Sequence, residues 1–146
     1  MRVVVDTNIV FSAVLNSSGK IGKILFESFH QIDFFAPSFI ETEIQIHKDK
    51  LIKFSSLSED QVILSIHKVF KNIQVIPKDE VPLSIREKAY RIDKGVDEKD
   101  TPFIALALAL QAELWTGDKR LIRGLKKKGF NTVLNTNELD EKLKSG

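Results

Sequence analysis

Short apolar runs alternate along the chain with longer segments in which apolar residues recur every three or four positions. The runs rich in β-branched and aromatic residues predict strands at 2–5, 33–36, 73–76, 113–116 and 131–135. Helical spacing predicts helices at 8–16, 20–31, 39–53, 59–71, 83–93, 101–111 and 119–127, and from about 137 onward. The first run shows no alternation, which is typical of a strand covered on both faces. Strands separated by helices predict an α/β fold, a three-layer α/β/α sandwich with a mostly parallel central sheet.

Two of these helices carry further local signals. The helix at 39–53 follows Ser38-x-x-Glu41, the spacing of a capping box. The helix at 59–71 has an amphipathic pattern. Its apolar face would hold Val62, Ile63, Ile66, Val69 and Phe70.

Length and composition predict a single domain covering residues 1–146, with the 42% hydrophobic content of an ordinary globular protein. The sequence has no cysteine, which excludes disulfides, thiolate metal sites and cysteine catalysis, and which suits a reducing cytoplasm. Asp6 interrupts the first apolar run, so we expect no signal peptide. Since the longest apolar run is far below the ~18 residues that span a bilayer, we also expect no membrane association.

A net charge of +2 is too small to indicate a nucleic-acid binder by itself, but one segment is strongly basic. Residues 119–128, KRLIRGLKKK, contain six cations and no acid. One interpretation is a solvated helix whose last lysines favour the C-terminal end of the helix dipole. The other is a contact with the phosphate backbone of a nucleic acid, which gains support if an active site lies nearby.

Acidic residues follow the ends of predicted strands. Asp6 ends the first strand, and Asp118 follows the strand at 113–116. Asp100 opens an apolar helix, with Asp97 three residues earlier, and Glu43 lies in the helix after the second strand. Ligands of such sheets bind outside the carboxyl ends of the strands, so this edge is where these side chains would act.

Each acid also has a purely structural interpretation. Asp6 could cap a turn, and Asp100 and Asp118 have the positions of helix N-caps, with Pro102 supporting the first of these. Glu43 could be an ordinary exposed helix residue. Gathered at one edge, however, the carboxylates would repel one another and raise one another's pKa values. A divalent cation would relieve that repulsion, and oxygen-only ligands suit Mg²⁺.

The motifs around these acids resemble those of the PIN-domain family of metal-dependent ribonucleases, whose toxin members belong to bacterial and archaeal toxin–antitoxin modules. VVVDTNIVFSAV is similar to the first family motif, which implies Asp6 as a metal-binding acid and Asn8 as a neighbouring polar support. APSFIETEI is similar to the second, which implies Glu43, with Glu41 as the alternative register.

The other two motifs come later in the chain. DEKDTPFIALALAL is similar to the third and implies Asp100, with Asp97 as an additional ligand. LWTGDKRL is similar to the fourth and implies Asp118, with Thr116 as a hydrogen-bonding neighbour. No acid that the family pattern requires is missing.

The resemblance implies that Asp6, Glu43, Asp100 and Asp118 are catalytic and hold one or two Mg²⁺ or Mn²⁺ ions at the carboxyl end of a parallel sheet. A metal-activated water would then hydrolyse the RNA phosphodiester without a covalent enzyme intermediate. Toxin members of the family have an antitoxin protein as partner, and dimers are a family habit.

An acidic pocket repels RNA, so a nuclease of this type needs cations around it. Lys119 and Arg120 come immediately after Asp118 and, with Arg123, are the candidate RNA contacts; Lys20 and Lys23 are weaker candidates. The histidines are interpreted as surface or helix-terminal residues rather than catalytic ones. They are His30, His47 and His67.

Two rival functions differ in kind. The first is a phosphoaspartate enzyme, which the residues do not fit. A phosphatase of the haloacid-dehalogenase type needs a second Asp two residues after Asp6, where this chain has Asn8, and a receiver domain needs an acidic pair at the end of the first strand, where Asp6 stands alone. The remaining rival is a non-catalytic RNA-binding or protein-interaction module that retains the fold.

Overall fold

The computed structural model describes residues 1–145 of the chain. The strands are β1 (Arg2–Val5), β2 (Asp33–Pro37), β3 (Ile73–Ile76), β4 (Glu113–Trp115) and β5 (Val133–Leu134). The α-helices are α1 (Thr7–Leu15), α2 (Lys20–Glu27), α3 (Phe39–Phe54), α4 (Glu59–Phe70), α5 (Leu83–Asp93), α6 (Thr101–Leu110), α7 (Lys119–Lys127) and α8 (Thr136–Ser145). One-turn 3-10 helices at Lys78–Glu80 and Glu98–Asp100 were not predicted.

All five described strands are parallel and form one sheet in the order β3-β2-β1-β4-β5. This confirms the predicted α/β fold with a parallel central sheet. β1 is the central strand, where Val4 pairs with Phe35 of β2 and Leu114 of β4. Val3, Val4 and Val5 are fully buried although successive side chains point to opposite faces, which accounts for the absence of alternation in the sequence.

The strand order places a crevice where the predicted acids lie. From β1 the chain builds outward to β2 and β3 on one side and to β4 and β5 on the other. In parallel sheets, ligands usually bind in the crevice at the carboxyl ends of the strands, at the point where the strand order changes direction. Here that point is beside β1. Helix α6 packs over β1, β2 and β4 with a buried Phe103–Ala107 segment, and its N-terminus therefore lies beside this crevice.

The predicted bounds differ from the structure mainly at α2 and β5. Helix α2 ends at Glu27, four residues earlier than predicted, because the chain turns after Ser28 to bury Ile32 ahead of β2. Strand β5 pairs only Val133 and Leu134 with β4.

The predicted capping box at Ser38 and Glu41 is wrong. Ser38 has helical backbone angles and makes no side-chain cap hydrogen bond. Its backbone N–H donates instead to the Ile76 carbonyl at 3.0 Å, extending the β2–β3 pairing. A capping box does form at α4, between Ser58 and Gln61, where the spacing S-x-x-Q is also visible in the sequence.

No single helix within residues 1–145 is long and apolar enough to cross a membrane; the pair α1 and α2, bent by 102°, meets the criterion by length and composition only.

Candidate metal centre

Asp6 ends the central strand and is buried, with 5% of its surface exposed. Its backbone continues the sheet, since its N–H donates to the Trp115 carbonyl at 3.1 Å. Its side chain makes no cap hydrogen bond to α1, so the capping interpretation is wrong here. The Thr116 hydroxyl donates to Asp6 Oδ2 at 2.7 Å. Burial, together with the charges of Glu43 and Asp118, raises the pKa of Asp6 from 3.8 to about 6, against the lowering effects of the Thr116 hydroxyl and of the Thr7 backbone.

Thr116 connects Asp6 with Asp118. The buried Thr116 hydroxyl accepts from the Asp118 N–H at 3.1 Å while it donates to Asp6. Asp118 Oδ1 accepts from the Leu121 N–H at 3.0 Å, so the N-cap interpretation of Asp118 is right. The cap uses one carboxylate oxygen and fixes the direction of the side chain, which leaves Oδ2 free of the cap for another ligand.

Glu43 is held by a residue that the sequence did not single out. The buried Thr7 hydroxyl donates to Glu43 Oε1 at 2.6 Å, which joins the start of α1 to α3 directly beside Asp6. Glu43 is half-buried, whereas Glu41 is exposed. The structure therefore favours the register with Glu43. The position of Thr7, one residue after Asp6 at the end of the strand, is the one feature of the sequence that could have indicated its role.

Asp100 ends a one-turn 3-10 helix and immediately precedes α6, but it makes no cap hydrogen bond, so its N-cap interpretation is wrong. It is half-buried, and burial is the main reason that its pKa rises to about 8. The charges of Asp6, Asp97, Asp93 and Asp118 raise it further. Asp97 is exposed and accepts from the Lys99 N–H at 3.1 Å, so one of its oxygens caps the 3-10 turn.

Sequence reasoning missed Asp93, which is fully buried at the end of α5. Its carboxylate accepts from the Thr101 hydroxyl at 2.9 Å and from the Asp97 N–H at 3.3 Å. Burial raises its pKa. These bonds fix the turn between α5 and α6 that carries Asp97 and Asp100. The signal was Asp93 four residues after the buried Ala89, on the core face of a helix.

Asn8 does not join this group. It is exposed and lines a separate cavity with Phe11 and His47, and no hydrogen bond within residues 1–145 links it to Asp6. Hydroxyls supply the polar support instead, from Thr7 and Thr116. All three histidines are exposed, and the His47 ring packs edge-on against Phe11 with centroids 5.9 Å apart.

The charges of the predicted ligands act on one another's pKa values, but their side chains do not converge on one point. In the part of the chain that the structure describes, no three acidic or histidine side chains converge closely enough to hold a metal ion as they stand. None of the four described ion pairs involves a candidate acid, so these carboxylates have no protein cation as partner. Oxygen-only donors without a counterion fit a hard divalent cation, and Mg²⁺ commonly binds through one or two carboxylates and several waters.

The basic helix α7 begins at the residue after Asp118. Leu121, Ile122 and Leu125 form its buried face, while Lys119 and Arg120 are exposed near the acids.

The rest of the basic set divides by location. Arg123 is exposed on α7 and makes no ion pair among the described residues. Lys128 donates to the Lys94 carbonyl, and its charge acts to lower the pKa of Asp93. Lys20 bonds Asn137 at 2.7 Å and Asp140 at 3.4 Å, so it is engaged with α8.

Comparison with known proteins adds a family and a fold. The sequence profile of the PIN domain matches residues 4–141. The uncharacterized protein MJ1680 of Methanocaldococcus jannaschii is 32% identical over 125 residues, which cover 84% of this chain and 74% of that protein.

Two solved structures share the fold at low sequence identity. VapBC2 from Rickettsia felis, bound to a DNA fragment from their promoter, matches with a TM-score of 0.65 and 15% identity, over 92% of this chain and 98% of that chain. PAE2754 from Pyrobaculum aerophilum matches with a TM-score of 0.69 and 14% identity, over 100% of this chain and 91% of that chain.

Proposed function

The chain belongs to the PIN-domain family, and from that membership we propose that residues 1–146 are a nuclease domain that hydrolyses RNA phosphodiester bonds with Mg²⁺ or Mn²⁺. The observation that carries the proposal is the placement of Asp6, Asp100 and Asp118 at the carboxyl edge of the sheet, where the Thr116 hydroxyl joins Asp6 to the Asp118 backbone. The charge of Asp118 raises the pKa of both Asp6 and Asp100, and no Lys or Arg within residues 1–145 pairs with any of the three. Neighbouring carboxylates that have no Lys or Arg partner favour binding of a metal cation.

Asp6, Glu43, Asp100 and Asp118 would hold the cation, with Asp97 as an additional ligand. When bound, a divalent cation stabilises the charge that builds on the phosphate in the transition state and makes water a stronger nucleophile. The chain's own contribution is orientation. The Thr116 hydroxyl holds Asp6, the Thr7 hydroxyl holds Glu43, and the helix cap holds Asp118.

The exposed cations of α7 supply the opposite charge that the RNA backbone needs. Lys119 and Arg120 adjoin Asp118 in sequence, and Arg123 lies about one turn further along the helix. They would neutralise phosphates flanking the scissile bond, so that RNA approaches the acidic edge from the α7 side.

Toxin activity is a narrower proposal and rests on the fold shared with VapBC2. In that case an antitoxin protein would block the acidic edge, and a dimer would extend the basic surface. A cytoplasmic location, expected from the cysteine-free sequence, stays a prediction.

A non-catalytic RNA-binding module is the second candidate, and the separation of the carboxylates in the described residues favours it. Cleavage of total RNA by the purified chain separates the two functions. We expect cleavage with Mn²⁺ or Mg²⁺, none with EDTA, and none with an Asp6→Asn/Asp118→Asn double variant, which also controls for contaminating nuclease. Binding without metal-dependent cleavage would establish the module instead.

A further inference from the structure

A cavity of about 850 Å³ lies beside the acidic edge, between the start of α3, α5 and the start of α6. We propose that it is a nucleotide subsite, which receives a base of single-stranded RNA next to the phosphodiester that is cleaved. This inference rests on the proposed function and adds where the flanking nucleotide binds. Its volume lies within the range of about 300–1,000 Å³ that is usual for small-molecule pockets.

The cavity and the acids share the same helix turns. Thr42 lines the cavity and precedes Glu43, and Thr101 lines it and follows Asp100. Consecutive Cα atoms are about 3.8 Å apart, so two residues of the cavity wall are direct chain neighbours of two candidate ligands. The cavity also reaches Ile76, at the carboxyl end of β3. We therefore place the nucleotide that flanks the scissile phosphodiester in this cavity.

The apolar part of the lining suits a base. Phe39, Ile76 and Tyr90 contribute apolar surface, and 47% of the Tyr90 surface is exposed although it lines the cavity. Aromatic side chains that stack on bases are the common feature of proteins that bind single-stranded nucleic acid.

The charges of the lining suit a phosphate. Four cations line the cavity against two carboxylates. The cations are Lys78, Arg86, Arg91 and Lys99; the carboxylates belong to Glu87 and Glu98. None of these six takes part in an ion pair in the described residues, so the cations are available to an anion. Arg86 is oriented by donating from Nε to the Val81 carbonyl at 3.0 Å, which leaves its terminal nitrogens for other partners.

The charges around the acidic edge favour a polyanion over a purely apolar partner. The strand order separates two groups of cations, because α7 follows β4 on one side of β1 and the cavity reaches the end of β3 on the other. The acids between them repel a polyanion in the absence of metal. Cations thus lie on both sides of the acids. This arrangement suits an RNA backbone that is held on either side of the phosphodiester that is cleaved.

The test is equilibrium binding of fluorescein-labelled 12-nucleotide oligo(A), oligo(U) and oligo(C) RNA to the full chain in EDTA, where cleavage is absent. Tyr90→Ala removes the stacking surface, and Arg91→Gln removes one cation. Lys68→Gln, an exposed cation on α4 away from this edge, is the matched control. Thermal melting of each variant confirms that it folds.

We expect Tyr90→Ala to weaken binding by about tenfold and to reduce any preference among the three RNAs. Arg91→Gln should reduce the slope of log affinity against log salt by about 0.7, the contribution of one phosphate contact in single strands. Lys68→Gln should bind like the wild type.

Cleavage, measured in parallel with Mn²⁺, separates failure of the subsite from failure of the nuclease. If the wild type cleaves but the cavity variants bind RNA normally, the subsite is wrong and the nuclease stands. If the cavity variants lose affinity and no protein cleaves, the cavity binds a nucleotide but the nuclease proposal fails. A wild type that binds none of the RNAs overturns the subsite. The subsite is also overturned if the wild type is a dimer and Tyr90→Ala dissociates it without changing RNA affinity. The face would then contact a second copy of the chain.

Discussion

The hydroxyl of Thr116 donates to Asp6 Oδ2 at 2.7 Å and accepts from the backbone N–H of Asp118 at 3.1 Å. One buried side chain thus sets the relative position of two candidate metal ligands, which follow the neighbouring strands β1 and β4. The hydroxyl donates its single proton to Asp6 and accepts from Asp118 with an oxygen lone pair, so it acts as donor and acceptor at once.

Thr116→Val should damage both stability and activity. Valine has nearly the same shape but leaves the buried Asp6 carboxylate without its side-chain donor, which should cost about 1–3 kcal/mol in the free energy of unfolding. Loss of such a supporting contact should lower metal affinity or cleavage by about 10–100-fold. Urea unfolding and RNA cleavage measure the two effects. Thr116→Ser keeps the hydroxyl and should recover most of the loss; a valine variant as active as the wild type would contradict the role of Thr116.

Glu43 and Glu41 form a matched pair on α3 for identifying the second motif's acid. Glu43→Gln keeps an oxygen that can accept from Thr7 and should fold normally, yet it removes a carboxylate charge and should lower cleavage more than about tenfold. Glu41→Gln changes an exposed side chain and should cleave within about twofold of wild type. The reverse order in initial cleavage rates would transfer the role to Glu41.

Asp118 has a structural and a chemical role that two substitutions can separate. Asparagine caps helices about as well as aspartate, so Asp118→Asn should keep the cap to Leu121 and nearly all the stability. Asp118→Ala loses the cap and should cost about 1 kcal/mol. Both variants lose the carboxylate and should lose cleavage. Full activity in Asp118→Asn would show that Asp118 serves only as a cap.

The metal-free protein should become less stable as the pH rises from about 4 to about 8. Asp6 and Asp100 have folded pKa values of about 6 and about 8, above the ordinary 3.8, so the native state binds more protons than the unfolded state in this range. The free energy of unfolding then falls with pH, through the Asp6 contribution up to about pH 6 and the Asp100 contribution up to about pH 8.

Melting temperatures in EDTA across this range check the direction. Asp100→Asn should flatten the upper part of the curve, since the amide does not titrate. Saturating Mn²⁺ should raise stability most at the high end, because the cation binds the ionised carboxylates. Melting temperatures in EDTA that do not fall between about pH 6 and pH 8 would contradict the assigned environment of Asp100.

The sequence was sufficient for the fold because β1 and its neighbours carry a strong local signal. Three consecutive buried valines predict a central parallel strand, and the apolar segment of α6 predicts a helix packed on it. The capping box at Ser38 failed because a tertiary contact overrode a local one, since the Ile76 carbonyl of β3 takes the N–H that Glu41 would have used.

The family resemblance implied Thr116 as a hydrogen-bonding neighbour of Asp118, two residues away, but the contacts that join the acids to distant parts of the chain could not be predicted. Thr116 reaches Asp6 across 110 positions, and Thr7 reaches Glu43 across 36. Helical periodicity would have placed Asp93 on the core face of α5, but its partner Thr101 depends on how the following turn folds back.

The central claim is that these carboxylates form a site for a divalent cation, and Mn²⁺ binding followed by electron paramagnetic resonance tests it most directly. Free Mn²⁺ gives a sharp signal that weakens when the ion binds protein. We predict saturable loss of the signal with the wild type and with Glu41→Gln, and little loss with Asp6→Asn or Glu43→Gln. An undiminished signal with the wild type, or equal binding by Asp6→Asn, would contradict the account.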